Sequence, residues 1–210
     1  MNLAVVAASG RVGSKVVAEA AARGVEVTAF VRRPAEIKGA AKVIVKDIFD
    51  LEKSDLANFD AVVDAFGAWT PETLPLHSTT LKHLCDILSG SETRLLVVGG
   101  AGSLYLDKEH TTQLYKTPEF PKEYFPTAQA QAKELEELRG RDDVKWTFVS
   151  PAADFRADGE RTGKYIFGGE EFIVNAAGES VISYADYALA MVDEILNGNN
   201  IRRRICVIQA

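Results

Sequence analysis

The stretch LAVVAASGRVGSKVVAEAAARG, starting at Leu3, constrains the fold more than any other part of the chain. A short apolar run breaks at Ser9-Gly10-Arg11-Val12-Gly13, and Val12, Val16, Val17 and Ala20 then follow at helical spacing. Asn2 to Ala8 reads as a strand buried on both faces, Arg11 to Arg23 as a helix, and Gly24 as its stop. A strand that turns directly into a helix across glycines suits a phosphate cradle. A Cβ at those positions would keep a pyrophosphate away from the backbone N–H groups of the helix N-terminus. Gly10 and Gly13 fit the second and third glycines of that pattern, and Ala7 stands at the first, giving A-x-x-G-x-x-G. Taken alone, the motif fits a plain strand-to-helix turn equally well. Its place at the head of a helix, inside a strand-helix-strand unit of about 30 residues, favours the cradle.

The end of the next strand discriminates between cofactors. Val25 to Val31 runs into Arg32-Arg33-Pro34, with no Asp or Glu where a ribose 2′-hydroxyl would be bound. Two guanidiniums can grip a phosphate through charge-assisted, bidentate bonds, so the spacing favours NADP(H) over NAD(H), with NAD still possible. The alternative is a solvated basic pair in the turn before Pro34.

Downstream, strands and helices keep alternating. KVIVKD and DAVVDAFG (Asp60 to Gly67) read as strands, Leu76 to Leu88 as a helix and RLLVVGG (Arg94 to Gly100) as a strand. Thr127 to Arg139 reads as a helix capped by Thr127, Val144 to Val149 as a strand, Tyr184 to Asn197 as a helix and RRRICVIQ as a closing strand. This order predicts an α/β fold, a doubly wound parallel sheet with helices on both faces. From Gly102 to Pro126 the pattern loosens, and Tyr105, Tyr115, Phe120, Tyr124 and Phe125 stand among polar residues. That composition points to an ordered lid. A length of 210 residues without linker or repeat predicts one domain over residues 1–210, in which about 150–183 forms a small substrate-side addition.

Other features narrow the function classes. With 24 Lys and Arg against 30 Asp and Glu, the net charge of -6 argues against nucleic-acid binding. No stretch approaches the roughly 20 apolar residues of a membrane span, and no basic n-region precedes the first apolar run, so a cytoplasmic chain without a membrane partner is expected. Cys85 and Cys206, far apart, are expected as buried free thiols. His77 and His83, six apart on one helix, do not share a face, and no metal site is predicted. The acidic run KELEELRGRDD reads as a solvated helix face and its following turn.

The segments VVAASGRVGSKVV, VRRP, KDIFD, DAVVDAFG, LLVVGGAGSL, WTFVSPAADF, GERTGKY and GESVISYADYALAMVDEI resemble the atypical short-chain dehydrogenase/reductase proteins, in their NmrA-like and biliverdin reductase B-like branch. The resemblance runs over essentially the whole chain. It implies an NAD(P)-binding Rossmann fold with strand order 3-2-1-4-5-6-7 and a small C-terminal addition. It also implies roles for matching residues. Ser9, Gly10, Arg11, Val12 and Gly13, following Ala7, would hold the pyrophosphate, and Arg32 with Arg33 the adenosine phosphate. Asp47 and Ile48 would flank the adenine, and Ala65, Phe66 and Gly67 would pass beside its ribose. Gly100, Ala101 and the residues to Ser103, with Pro151, Ala152 and Ala153, would line the nicotinamide end.

The chain departs from the superfamily at its catalytic pair. No tyrosine is followed four residues later by a lysine. Reducing a ketone needs an acid that protonates the forming alkoxide, whereas flavin reduction can draw its proton from water once two rings are stacked. The expected function is therefore hydride transfer from NADPH, or less well NADH, to FMN, another flavin or a similar planar small-molecule acceptor. Lid aromatics would form its wall, and Ser103 would be the orienting hydroxyl. The alternative is a non-catalytic NADP(H)-binding redox sensor. Nucleotide-sugar epimerases and dehydratases share the fold but depend on the missing pair and on a larger C-terminal substrate domain. A monomer or a homodimer fits the sequence equally.

Overall fold

A computed structural model describes residues 1–198 and 200–210. β1 (Asn2–Val6) turns into α1 (Arg11–Ala22), followed by β2 (Glu26–Val31), β3 (Lys42–Val45), a single-turn α2 (Lys53–Leu56) and β4 (Ala61–Asp64). Next come α3 (Leu76–Leu88), β5 (Arg94–Val98), α4 (Phe125–Arg139) and β6 (Lys145–Pro151). The last part holds β7 (Asp154–Arg156), β8 (Tyr165–Gly168), β9 (Val181–Ser183), α5 (Tyr184–Asn197) and β10 (Arg203–Gln209).

The main sheet has the order β3-β2-β1-β4-β5-β6-β10-β8. Its first seven strands pair in parallel, which is the expected 3-2-1-4-5-6-7 order of a Rossmann fold with β10 in seventh place. The eighth, β8, adds an antiparallel edge to β10, and β7 and β9 form a separate parallel pair. These three short strands lie in the 150–183 addition, where no strand is expected from the sequence. Each is three or four residues long and is held by its pairing partner rather than by its own alternation.

Strand β1 shows how the two layers of helices are built. Leu3 and Val5 point to the core that contains Val16, Val17 and Ala20 of α1 and Tyr187, Ala188 and Met191 of α5. Ala4 and Val6 point to the opposite core, with Leu81, Leu84 and Leu88 of α3 and Leu135 and Leu138 of α4. Because successive strand residues face opposite ways, a continuous apolar strand is what a sheet covered on both faces requires. Helix α5 is buried along most of its length, with Ser183 Oγ accepting from Asp186 N–H at 3.0 Å at its start and Gly198 closing it in the left-handed region, φ 65°.

Helix α4 begins two residues earlier than expected. Tyr124 is the N-cap residue and makes no side-chain capping bond, and Thr127 lies inside the first turn rather than at the cap. Pro126 is tolerated there because a first-turn N–H has no partner within the helix. The preceding segment is ordered by backbone bonds to other parts of the chain. Tyr105 N–H donates to Glu170 O at 3.0 Å, Phe172 N–H to Tyr105 O at 2.7 Å, and Tyr115 N–H to Gly102 O at 2.8 Å. Among the described residues no helix is long and apolar enough to cross a membrane. Both cysteines are free and buried, and burial pushes their thiols up, Cys85 to about 12 and Cys206 to about 11.

Candidate functional site

The turn after β1 is built by its own backbone. Ala7 sits in the left-handed region at φ 56°, and Gly10 N–H closes the turn on Ala7 O at 3.0 Å. A Cβ on Gly13 would stand 2.8 Å from Ala7 O and 3.0 Å from Ala8 Cα, and one on Gly10 3.2 Å from Ala7 O. Gly13 therefore has no room for a side chain in this turn. Gly10 is the N-cap of α1 and offers no side-chain bond, so the first-turn N–H groups, beside exposed Ser9 and Arg11 and half-buried Val12, receive no side-chain cap.

The turn does close with alanine at the first position, but a Cβ in the left-handed region costs about 1–2 kcal/mol. Ala7→Gly is expected to raise stability by about 0.5–1 kcal/mol after the entropy of the extra glycine is deducted. Urea unfolding reads this as a higher midpoint at unchanged slope, and a lower midpoint would show that the turn carries no such strain.

Neighbouring strand ends bring further residues to this turn. Ala8 N–H donates to Phe30 O at 3.2 Å, which sets the turn beside the end of β2, and Ala65 N–H donates to Val6 O at 3.1 Å, which sets Ala65 beside it from β4. Arg32 and Arg33, just past β2, are exposed, and among the described residues neither has a carboxylate within ion-pair distance. Asp47, past β3, spends Oδ1 on Phe49 N–H at 3.0 Å and so caps the short turn Ile48–Asp50. Phe66 N–H is held by Asp64 Oδ1 at 3.0 Å, and the Trp69 indole lies against Gly67.

Further along the carboxyl ends of the parallel strands, β5 leads into Gly99 and Gly100. A Cβ on Gly100 would stand 2.1 Å from Gln131 Oε1, so the side-chain amide of α4 occupies the space of the missing side chain. Gln131 is partly exposed and its side chain makes no protein hydrogen bond among the described residues, which leaves its amide available. Ala101 follows on the same turn. Pro151 closes β6, Ala152 is buried, and Ala153 N–H donates to Ser180 Oγ at 3.2 Å. Ser103 is buried, and its Oγ accepts from Arg204 Nη1 at 2.9 Å. Arg204 is itself paired with Glu170 at 2.5 Å. The Tyr105 ring stacks on His110 at 4.5 Å and is approached by the Arg204 guanidinium at 5.6 Å, so this lid aromatic is already engaged. Tyr124 and Phe125 remain exposed.

Two tyrosine hydroxyls are committed elsewhere. Tyr187 O–H donates to Val149 O at 2.7 Å, and Tyr165 O–H donates to Asp193. Burial pushes both phenols upward, and Asp193 adds to the effect on Tyr165. A general acid for alkoxide protonation needs the opposite shift.

Sequence reasoning missed one group of residues. Glu134, within the acidic run read as solvated, is buried on α4 beside His77 of α3, because that helix face packs on α3 rather than meeting water. Burial pushes Glu134 to about 7, against the lowering effect of His77. Asp64, buried at the end of β4, is pushed to about 6 by burial, against Phe66 N–H and His77. No spacing in the sequence links these three positions. Among the described residues no group of three or more candidate ligands could hold a metal.

The sequence profile of an NAD(P)H-binding family matches residues 7–197. YwnB of Bacillus subtilis (strain 168), an uncharacterized protein, is 47% identical over 210 residues, covering 99% of this chain and 98% of that one. A solved structure from Streptococcus pneumoniae TIGR4, of a candidate NADH-flavin reductase, superposes with a TM-score of 0.98 at 53% identity over 100% of both chains. Another, from Bacteroides thetaiotaomicron and described as a candidate epimerase, has a TM-score of 0.85 at 35% identity, covering 99% of this chain and 96% of that one.

Proposed function

Since the chain belongs to this NAD(P)H-binding family, we propose that it is an oxidoreductase that uses NADPH, with NADH as the poorer donor, to reduce FMN, riboflavin or a similar planar acceptor. The observation that carries the nucleotide half is the cradle. Gly13 meets backbone at 2.8 Å, and two exposed guanidiniums lie at the end of the adjoining strand. The uncapped first-turn N–H groups of α1 would hold the pyrophosphate, and Arg32 with Arg33 the 2′-phosphate. Ala65, Phe66 and Gly67 would border the ribose, with Asp47 and Ile48 at the adenine. When bound, the reduced nicotinamide supplies a hydride to the acceptor, and water supplies the accompanying proton.

At the nicotinamide end, Gly100, Ala101 and Pro151 to Ala153 would line the ring. The Gln131 amide offers both a donor and an acceptor there. Ser103, its Oγ engaged as an acceptor, keeps a hydroxyl hydrogen to donate and is assigned the orienting role. The missing Tyr-x-x-x-Lys pair favours an acceptor that needs no protein acid, and the upward-shifted phenols of Tyr165 and Tyr187 do not replace it. The same observation weighs against epimerase chemistry for this chain. The candidate flavin reductase from Streptococcus pneumoniae supports the acceptor class by likeness.

Anaerobic mixing of the purified protein with NADPH and FMN tests the reading. Catalysed bleaching of the flavin absorbance above a protein-free control is the expected result. No bleaching, with NADPH shown to saturate the protein, would overturn flavin reduction and favour an NADP(H)-sensing role.

A further inference from the structure

Three ionisable side chains meet beneath the segment that follows β4, and the function proposed above uses none of them. Asp64 of β4, His77 of α3 and Glu134 of α4 are all buried, and Asp64 Oδ2 and Glu134 Oε2 lack hydrogen-bond partners among the described residues. His77 stands between the Glu134 carboxyl and the backbone. Its Nδ1 is 3.5 Å from Glu134 Oε2, while its Nε2 is 3.3 Å from Ala68 N and 3.2 Å from Ala68 O. The ring also meets Phe66 edge-on at 5.7 Å.

A neutral imidazole carries one N–H, so these contacts cannot all be hydrogen bonds at once. With the proton on Nδ1, facing Glu134, Nε2 accepts from Ala68 N–H. With a proton on Nε2, the ring can only donate to Ala68 O, and the buried Ala68 N–H loses its partner. An unpartnered buried N–H costs about 1–3 kcal/mol, enough to move a loop. Ala68 directly follows the Ala65–Gly67 segment that the reading above places at the ribose.

We propose that His77 is a positioning residue for the nicotinamide cofactor: by holding Ala68 N–H it sets the Ala65–Gly67 segment, in a geometry governed by whether the ring carries a proton on Nε2 or only on Nδ1, facing Glu134. This rests on the NADPH reading above. The groups facing the cluster are Glu134 of α4, Asp64 of β4, Glu137 acting on Glu134 from the next turn, and the neutral Cys85 thiol near Asp64. Burial lowers His77, but Glu134, the Ala68 backbone and Asp64 outweigh it, and the net shift is upward. The two carboxyls are also shifted up, to about 6 and about 7. Stability from this cluster is therefore fully present at low pH and is lost as pH rises through those values. Cofactor binding runs the other way, because the state that holds Ala68 N–H is the one with the unprotonated Nε2.

The test measures the dissociation constants of NADPH and NADH between about pH 6 and pH 8 for the wild type and for His77→Gln. NADH lacks the 2′-phosphate and so removes that group's own titration. The expected wild-type result is roughly tenfold weaker binding of both nucleotides at the acid end, the effect of one pKa unit of coupling. His77→Gln, whose amide does not titrate, should show no slope for NADH between about pH 6 and pH 8, whatever its affinity. Equal slopes in both proteins, or a flat wild-type profile, would overturn the role of His77 and leave the cofactor reading intact. Failure of the wild type to bind either nucleotide at any pH would instead overturn the cofactor reading. In ligand-free protein, the Ala68 amide resonance should titrate together with the His77 ring nitrogens. An Ala68 resonance that stays still while the ring titrates would also overturn the proposal.

Discussion

Replacing Arg32 and Arg33 together by alanine is expected to weaken NADPH binding about 100-fold while changing NADH binding by less than about threefold. Each guanidinium can donate charge-assisted bonds to a 2′-phosphate, and such bonds contribute about 1.5–3 kcal/mol each. Losing two costs about 3 kcal/mol or more, which is about two decades of affinity. Neither side chain is tied to a carboxylate among the described residues, so the loss falls on the ligand rather than on the fold. Both are exposed, and the double variant should unfold at the wild-type urea concentration. Equal losses for the two nucleotides would show that the pair is a solvated turn rather than a phosphate clamp. The single variants would apportion the effect, and raised salt should reduce the NADPH advantage in the wild type by screening.

The largest expected stability effect lies away from the cleft. Arg94→Met is expected to cost about 3–5 kcal/mol, because it strands a buried carboxylate. Arg94, at the start of β5, donates from Nη2 to Glu194 Oε1 at 2.7 Å and to Thr147 Oγ1 at 3.1 Å, and from Nη1 to Glu194 O at 2.8 Å. Glu194 is 3% exposed on its side chain, so water cannot replace the lost guanidinium. The cation also sits at the C-terminal end of α5, where the helix dipole favours it. Asn200 remains on Glu194, through its N–H at 3.0 Å and its Nδ2 at 2.7 Å, but brings no charge. Urea unfolding should show the loss as a lower midpoint. The double variant Arg94→Met with Glu194→Met should recover part of it, since no buried charge is then left alone. A loss below about 1 kcal/mol in the single variant would mean that Asn200 alone satisfies the carboxylate.

Much of the fold is legible from neighbouring residues. The Asn2–Val6 strand, the Arg11–Ala22 helix and the glycines between them follow from apolar periodicity and from what a Cβ would strike. Helix α5 matches its expected bounds because Ser183 caps it, apolar positions recur through it, and Gly198 ends it. Strand β8 is not legible in the sequence because Tyr165–Gly168 is four residues long, ends on a glycine and forms by pairing with the distant β10. The onset of α4 was displaced by Pro126, which resembles a stop yet costs nothing in a first turn. At the candidate site, the glycine turn, the arginine pair and the glycine-rich end of β5 are readable as motifs. Gln131 was not, since a glutamine in a helical run signals nothing until Gly100 is seen beneath its amide.

The strand order followed from the family resemblance, while the sequence by itself determined the alternation of strands and helices, the glycine turn and the basic residues after the second strand. Each depends on residues close together in the chain, where periodicity and local sterics leave few alternatives. Only the tertiary structure decided that Glu134 leaves water to face His77, that His77 reaches Ala68, and that Ser103 is bound by Arg204. Those contacts join side chains from separate elements. Their protonation and reach are set by burial and by packing across the sheet, which no spacing along the chain records.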